Sequence, residues 1–330
     1  MQVHFGLGLL RAEWAESIVC IGTFDGVHLG HRFLISHAVR EARASERPSI
    51  LVTFDRLPAA VLAPDRCPAA ISSLYQNLAA FERLGVSVAV ILEFDRALSQ
   101  TSAEDFLGEV ILRRLKAAEL VIGHDFAFGR GREGTPEWLQ GRIKTHGVPP
   151  FELDGRRVSS SDIRAAVAEG RMEDAARMLG RPFEVTGVVV PGQKLGRSLG
   201  FPTINVARSF DQVTPLDGVY GGMCRTPAGL FAAAINIGLR PAVGGLQRTI
   251  EAYLIDYTGE DLYGCAVSLG VARRLREERR FPSLDALRDQ MARDVEEIRR
   301  SASGEIRNED WDRSGDLADR VGGSPSGSVL

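Results

Sequence analysis

In the first half of the chain, short apolar runs alternate with segments whose apolar positions recur at helical spacing. Residues 18–21 (I-V-C-I), 50–54 (I-L-V-T-F), 86–92 and 120–122 are apolar on both faces and rich in β-branched residues, which predicts buried strands. Between them, Phe33, Leu34, Ala38 and Val39 fall on one helical face, as do Leu74, Leu78, Phe81 and Leu84, and then Phe106, Leu107, Val110, Ile111 and Leu115. Fully apolar strands separated by helices imply a parallel sheet covered on both faces, with ligands at the carboxyl ends of its strands. A short helix over 171–179 ends at Gly180 and Pro182, and the periodicity then changes. Residues 183–190, 218–224, 231–237, 249–255 and 266–271 read as short strands between glycine-rich turns, which predicts a small antiparallel barrel. Leu284, Leu287, Met291, Val295 and Ile298 then form one apolar stripe on a long closing helix, with Ser283 as its N-cap. The expected organisation is therefore an α/β domain over 1–182, a β-barrel domain with one long terminal helix over 183–300, and a polar Gly/Ser-rich tail over 301–330 that reads as disordered.

Composition narrows the class. At 330 residues, 44% hydrophobic and 25% charged, the chain is an ordinary globular protein of two domains. A net charge of −3 supplies no general attraction to nucleic acid or to an anionic membrane. The four cysteines (20, 67, 224 and 265) are scattered, with no C-x-x-C pair or zinc-ligand spacing, which predicts reduced thiols and a cytoplasmic protein. There is no basic segment leading into an apolar leader, and no apolar run approaches the roughly 20 residues of a membrane span. Small-molecule substrates, no nucleic-acid or membrane partner, and a monomer or weak homo-oligomer are expected.

Four stretches carry candidate chemistry. The first is G-T-F-D-G-V-H-L-G-H over 22–31, where a strand turns into a helix. Helix-start amides favour a phosphate, Gly30 permits close approach, and His28 and His31 add donors. The second is G-H-D-F-A-F-G-R-G-R-E-G from Gly123, after the fourth expected strand. Its glycines and arginines suit anionic groups, and Asp125 suits a ribose or base. The third is V-S-S-S-D-I-R over 158–164, an N-cap signal whose hydroxyls would also suit phosphate. The fourth lies in the C-terminal half: P-T-I-N over 202–205 places Thr203 and Asn205 on one side of an extended segment, as hard oxygen ligands suited to Mg²⁺. Glu251 stands opposite the apolar set Ile250, Ala252 and Leu254 on its strand, exposed on an open sheet or positioned as a base at a barrel mouth.

The H-x-G-H signature resembles the nucleotidyltransferase superfamily, and the fuller string resembles the adenylyltransferase half of bacterial bifunctional riboflavin kinase/FAD synthetases. The segments at Gly123–Gly134 and 158–164 match the same family, with Ser161 in place of threonine. The C-terminal half resembles the riboflavin kinase module through residues 199–205, Pro215 with Gly218-Val219-Tyr220, residues 236–241, Glu251, residues 261–264, and Arg276, Glu278 and Phe281. The resemblance implies a Rossmann-like nucleotidyltransferase domain and a riboflavin kinase barrel that act on riboflavin, FMN, FAD and ATP with Mg²⁺. It implies His28 and His31 as catalytic for adenylylation and Glu251 as the base on the ribityl hydroxyl. Binding roles follow for Gly22, Phe24, Asp25, Gly30, Gly123, Asp125, Ser159, Ser160, Ser161 and Arg164 in the first half. In the second half they follow for Gly196, Thr203, Asn205, Asn236, Arg240 and Arg276, with Thr203 and Asn205 also on the metal. The chain departs from the family at Arg56 and Leu57, where a proline and a histidine are usual, and at Gln76-Asn77, where a Glu-Lys pair is usual. Two other readings stay open: a riboflavin kinase with a degenerate adenylyltransferase domain, and a non-enzymatic flavin-binding regulator.

Overall fold

A computed structural model describes residues 1–8, 10, 13–192, 195–208, 210–242 and 245–302. Of the tail expected over 301–330, residues 301–302 end the terminal helix and the rest lies outside the described residues. The described chain forms two units, Met1–Ser159 and the residues from Ser160 onward.

The first unit is built on six parallel strands: β1 (Gln2–Phe5), β2 (Ser17–Ile21), β3 (Ser49–Phe54), β4 (Val88–Leu92), β5 (Ala117–Gly123) and β6 (Lys144–Val148). Their order is β1-β4-β3-β2-β5-β6. The chain builds outward from β2 through β3 to β4, then returns to place β5 on the other side of β2. The β2/β5 boundary is therefore the point where a ligand crevice opens at the carboxyl ends. Alternation along each strand feeds two apolar layers. Val19 and Ile21 face one, with Phe106, Val110 and Ile111 of the helix Phe106–Arg114. Ile18 and Cys20 face the other, with Ile35, Ala38 and Val39 of the helix Leu29–Ala44. Burial on both faces explains why β2–β5 read as continuous apolar runs. β1 and β6 were not expected from the pattern, because both are edge strands. β1 leaves Phe5 64% exposed, and β6 reads K-T-H-G-V. A small hairpin, β7 (Glu152–Leu153) with β8 (Arg156–Arg157), ends this unit.

The second unit begins with the helices Ser160–Ala168 and Met172–Leu179. The expected junction lay at 182/183, but the second of these helices buries Met172, Ala175 and Leu179 and packs on strands of the barrel that follows. The barrel comprises β9 (Phe183–Val190), β10 (Thr203–Arg208), β11 (Gly218–Thr226), β12 (Gly229–Ala242), β13 (Gly245–Leu254) and β14 (Ala266–Arg276). Every pairing is antiparallel, in the closed order β10-β13-β12-β11-β14-β9. β10 begins at Thr203, so the extended segment expected at Thr203 and Asn205 is the start of a barrel strand. The helix Leu284–Ala302 lies on the outside of β12 and β11, and Val295 and Ile298 are buried there with Ala234, Tyr253 and Leu275. Ser283 caps that helix by accepting the Ala286 amide at 3.1 Å.

Strand β11 approaches β14 so closely that a Cβ on Gly222 would lie 2.0 Å from the Gly270 carbonyl oxygen. A methyl group there requires the two strands to separate. Gly222→Ala should therefore cost about 1–3 kcal/mol, read as a lower urea midpoint. An unchanged midpoint would show that the two strands separate without cost.

Candidate active sites

In the first unit the residues at 22–31 occupy the β2/β5 crevice. His28 is the N-cap of the helix Leu29–Ala44, and its Nδ1 accepts the His31 amide at 3.2 Å. With Nδ1 an acceptor, neutral His28 carries its proton on Nε2, which remains a donor. The two imidazoles stack at 3.6 Å between centroids, and the Phe24 ring meets His31 edge-on at 5.4 Å. His31 Nδ1 is inaccessible and has no hydrogen-bond partner. Burial pushes the His31 pKa down to about 3, and the Asp125 carboxylate opposes this only in part. His31 is thus a neutral imidazole at any ordinary pH. Gly30 lies beneath the His28 ring, and Gly22 beneath that of Phe24.

The loop holds an unusual backbone. Phe24 (φ 48°) and Val27 (φ 40°) are buried with positive φ, a conformation that costs non-glycine residues on the order of 1–3 kcal/mol each. Specific contacts hold them. The Asp25 carboxylate, only 4% exposed, accepts the Ile71 amide at 3.0 Å and the Ser72 amide at 3.3 Å. Asp25 therefore ties the loop to the residues before the helix Leu74–Arg83. The Ser72 hydroxyl accepts the Gly26 amide at 3.0 Å and donates to Asn77 Oδ1 at 2.5 Å. Arg32 Nε donates to the Val27 carbonyl at 3.1 Å. Gln76 completes a capping box with Ser73. The two departures Gln76 and Asn77 thus have structural partners of their own. At the other departure, Asp55 accepts the Phe94 amide at 2.9 Å and pairs with Arg56. Burial opposes ionisation of Asp55, but the Arg56 guanidinium and the Phe94 amide outweigh it and hold its pKa below the usual value.

The loop after β5 forms the other wall. Asp125 pairs with Arg157 at 2.6 Å, and Arg132 donates to the Asp125 carbonyl at 3.1 Å. Burial works against the Asp125 charge, but Arg157 prevails and its pKa is lowered. Phe126 and Phe128 stack and pack into the sheet's apolar layer rather than into the crevice. Ser159 precedes the helix that opens the second unit, and Ser160, Ser161 and Arg164 lie on that helix.

The second unit has a cavity of about 900 Å³ between the outer face of the barrel and the terminal helix. Strand register sets a polar row: Asn205 on β10 pairs with Glu251 on β13, which pairs with Asn236 on β12, and of the three Glu251 and Asn236 line the cavity. Paired residues share a face, so all three project outward, opposite the buried Ile250 and Ala252. The cavity therefore lies on the outside of the barrel under a helix, and not at the barrel mouth. Thr203, Gly196, Arg240 and Arg276 also line the cavity, while the Asn205 amide lies against Gly192. Arg240 stands 3.8 Å from Glu251 and 3.8 Å from Glu278, and Asn236 donates to Glu278 at 3.0 Å. Gly238 makes room for Glu278, since a Cβ there would meet the carboxylate at 2.2 Å. Leu287 and Met291 of the helix stripe roof the cavity, and Leu284 at its entrance is 59% exposed. Of the five stripe residues, Val295 and Ile298 are thus buried, Leu287 and Met291 half-buried and Leu284 exposed.

Two features escaped the sequence reading. Arg276 makes a two-pronged contact with buried Asp294 (Nε to Oδ2 3.0 Å, Nη2 to Oδ2 2.7 Å), tying the helix to β14. The Ser72–Asn77 relay escaped as well. Arg276 and Asp294 lie on different elements, and Ser72 lies just before the helix that carries Asn77, at a spacing that no capping pattern marks.

Comparison with known proteins agrees with this division. The FAD synthetase family matches residues 10–162, and the riboflavin kinase family matches residues 179–302. The bifunctional riboflavin kinase/FMN adenylyltransferase of Escherichia coli (strain K12) is 36% identical over 295 residues, 87% of this chain and 93% of the relative. Its counterpart in Bacillus subtilis (strain 168) is 32% identical over 297 residues, covering 88% and 93%. A crystal structure of a macrolide-efflux protein from Streptococcus pneumoniae has a TM-score of 0.84 at 28% identity, covering 91% of this chain and 99% of that one. Among the described residues of this chain, no helix is long and apolar enough to cross a membrane.

The neutral state of His31 has a consequence for stability. Its folded pKa, about 3, lies below the roughly 6.5 of an unfolded chain, so the unfolded state binds the proton first. The contribution is present in full above about pH 6.5 and is lost as pH falls toward 3. His31→Gln should flatten the fall in urea stability between about pH 6 and 4. An identical slope in both proteins would mean that His31 protonates in the folded state.

Proposed function

The chain belongs to the bifunctional riboflavin kinase/FMN adenylyltransferase family, and on that premise we propose that its two units make flavin cofactors in sequence. The second unit phosphorylates riboflavin to FMN with ATP, and the first adenylylates FMN to FAD with a second ATP, releasing pyrophosphate. The reading is carried by the presence of two separate candidate sites, the histidine-bearing loop after β2 and the cavity under the terminal helix.

In the kinase step the ribityl 5′-hydroxyl attacks the γ-phosphorus of ATP, and ADP leaves. An alcohol is a weak nucleophile, so a carboxylate that takes its proton accelerates attack. Glu251 is that base, and its alignment between Asn205 and Asn236 supports the assignment. The apolar Leu287 and Met291 over the cavity support an aromatic ring system under the helix. Thr203 and Asn205 offer a hydroxyl and an amide oxygen beside the Glu251 carboxylate, a hard-oxygen set that fits Mg²⁺. They would hold it with the phosphates; when bound, Mg²⁺ offsets charge on the transferred group. Arg240 and Arg276 are cationic partners for the same phosphates or for the flavin.

In the adenylyl step an FMN phosphate oxygen attacks the α-phosphorus of ATP. That nucleophile is already anionic, so no base is required. Alignment and stabilisation of developing charge carry the catalysis. His28 and the neutral His31 serve as hydrogen-bond donors beside the helix-start amides, and the low pKa of His31 supports a role that needs no proton transfer. Gly30 leaves space for the phosphates, and Asp125 is available to the ribose or base. Ser159, Ser160, Ser161 and Arg164 are assigned to triphosphate binding by the family pattern. A cytoplasmic setting fits soluble substrates and scattered free cysteines.

Reciprocal variants test the assignment. Glu251→Gln should lower riboflavin phosphorylation by about 10²–10⁴-fold, while FMN supplied directly is still converted to FAD. The double substitution His28→Ala/His31→Ala should do the reverse. Chromatography of the flavins reads both, and parallel loss of the two activities in either variant would contradict separate sites.

A further inference from the structure

We infer that Ser72 and Asn77 are positioning residues for adenylyl transfer, holding the histidine-bearing loop in its catalytic conformation. The inference rests on the reading of 22–31 as the adenylyl-transfer site. The loop does not keep its shape through local preference, because Phe24 and Val27 have positive φ although neither is glycine and Val27 is β-branched. Such a conformation persists only where surrounding contacts over-determine it. Besides the Arg32 bond to the Val27 carbonyl, these contacts come from the start of the helix Leu74–Arg83 and the two residues before its cap. Asp25 takes the amides of Ile71 and Ser72, which ties the outside segment to the loop. In return the Ser72 hydroxyl takes the Gly26 amide, between the two strained residues.

A serine hydroxyl rotates freely unless its proton is committed. Here Asn77 Oδ1 accepts that proton at 2.5 Å, so the oxygen lone pair is left facing the Gly26 N–H. Asn77 is buried at 7% exposure and Ser72 at 5%, so water does not substitute for either partner. The relay runs Asn77–Ser72–Gly26, and His28 follows Gly26 by two residues. Loosening it lets Val27 relax toward ordinary backbone angles and moves the His28 ring, which also receives the His31 amide. Neither Ser72 nor Asn77 touches the reacting groups. Their effect passes through the placement of His28 and His31, where misplacement by about 1 Å costs up to 10²-fold in rate.

The test uses the full chain with Ser72→Ala, Asn77→Leu and Ser72→Thr, each assayed for FAD formation from supplied FMN and for riboflavin phosphorylation. Ser72→Ala and Asn77→Leu should lower kcat for FAD formation about tenfold or more. KM for ATP should stay within about twofold, the signature of lost transition-state alignment. Phosphorylation should be unchanged, and Ser72→Thr, which keeps the hydroxyl, should retain most of the FAD-forming rate. Wild-type kcat in both Ser72→Ala and Asn77→Leu overturns the inference. So does parallel loss of both activities with a lower unfolding midpoint, which would mark a general structural role. Wild-type protein that forms no FAD from FMN would instead defeat the underlying reading and this inference with it.

Discussion

The first unit turns on a buried carboxylate, that of Asp25. Asp25 accepts two backbone amides from residues 71 and 72, nearly fifty positions further along the chain. Burying a carboxylate is costly unless donors satisfy it. Here the donors are amides fixed by the start of a helix, so charge, loop and helix hold one another in place. The site needs this because its backbone is not one the chain adopts unaided. Two imidazoles stacked at 3.6 Å, with one ring capping the helix that carries the other, demand a definite entry angle from β2 into that helix. Phe24 and Val27 supply the angle through strained torsions, and the contacts around Asp25 keep them there.

The second unit reaches its site by another route. Strand register, rather than a strained loop, sets Asn205, Glu251 and Asn236 in one row. Antiparallel pairing makes such a row rigid, since each residue is held by ladder bonds on both sides. The inside of the barrel is filled with apolar side chains, and the cavity lies on the outer face. The terminal helix makes that face a cavity. Its C-terminal half is anchored by Val295 and Ile298, and Asp294 ties it to Arg276. Its N-terminal half leaves Leu287 and Met291 over open space. A helix of this kind is anchored at one end and offers its other end to a flat apolar ligand.

Much of this was legible in the residues, and the rest was hidden for identifiable reasons. β2 to β5 were readable because burial on both faces makes them apolar throughout. Edge strands β1 and β6 were not, because half of each faces solvent. The outward side of Glu251 followed from alternation along β13, but the cavity did not, since it depends on a helix packing against strands far away in sequence. The helix over 171–179 was visible, but its allegiance to the barrel was not, because an apolar stripe does not say what covers it. Gln76 and Asn77 appeared as losses when set against the family pattern. In the fold each has a partner: Gln76 in a capping box, and Asn77 on the Ser72 hydroxyl. Asp25, read as a ligand-binding residue, is taken up by the amides of Ile71 and Ser72.

The central claim is that one chain carries two working sites, used in order. The most direct measurement is a time course of the wild-type protein with riboflavin, ATP and Mg²⁺, with the flavins separated at each point. The account predicts that FMN rises first and then gives way to FAD, with pyrophosphate released only in the second phase. FMN that accumulates without FAD, under conditions where ATP remains in excess, would contradict it and leave the strained loop of the first unit without the chemistry assigned to it.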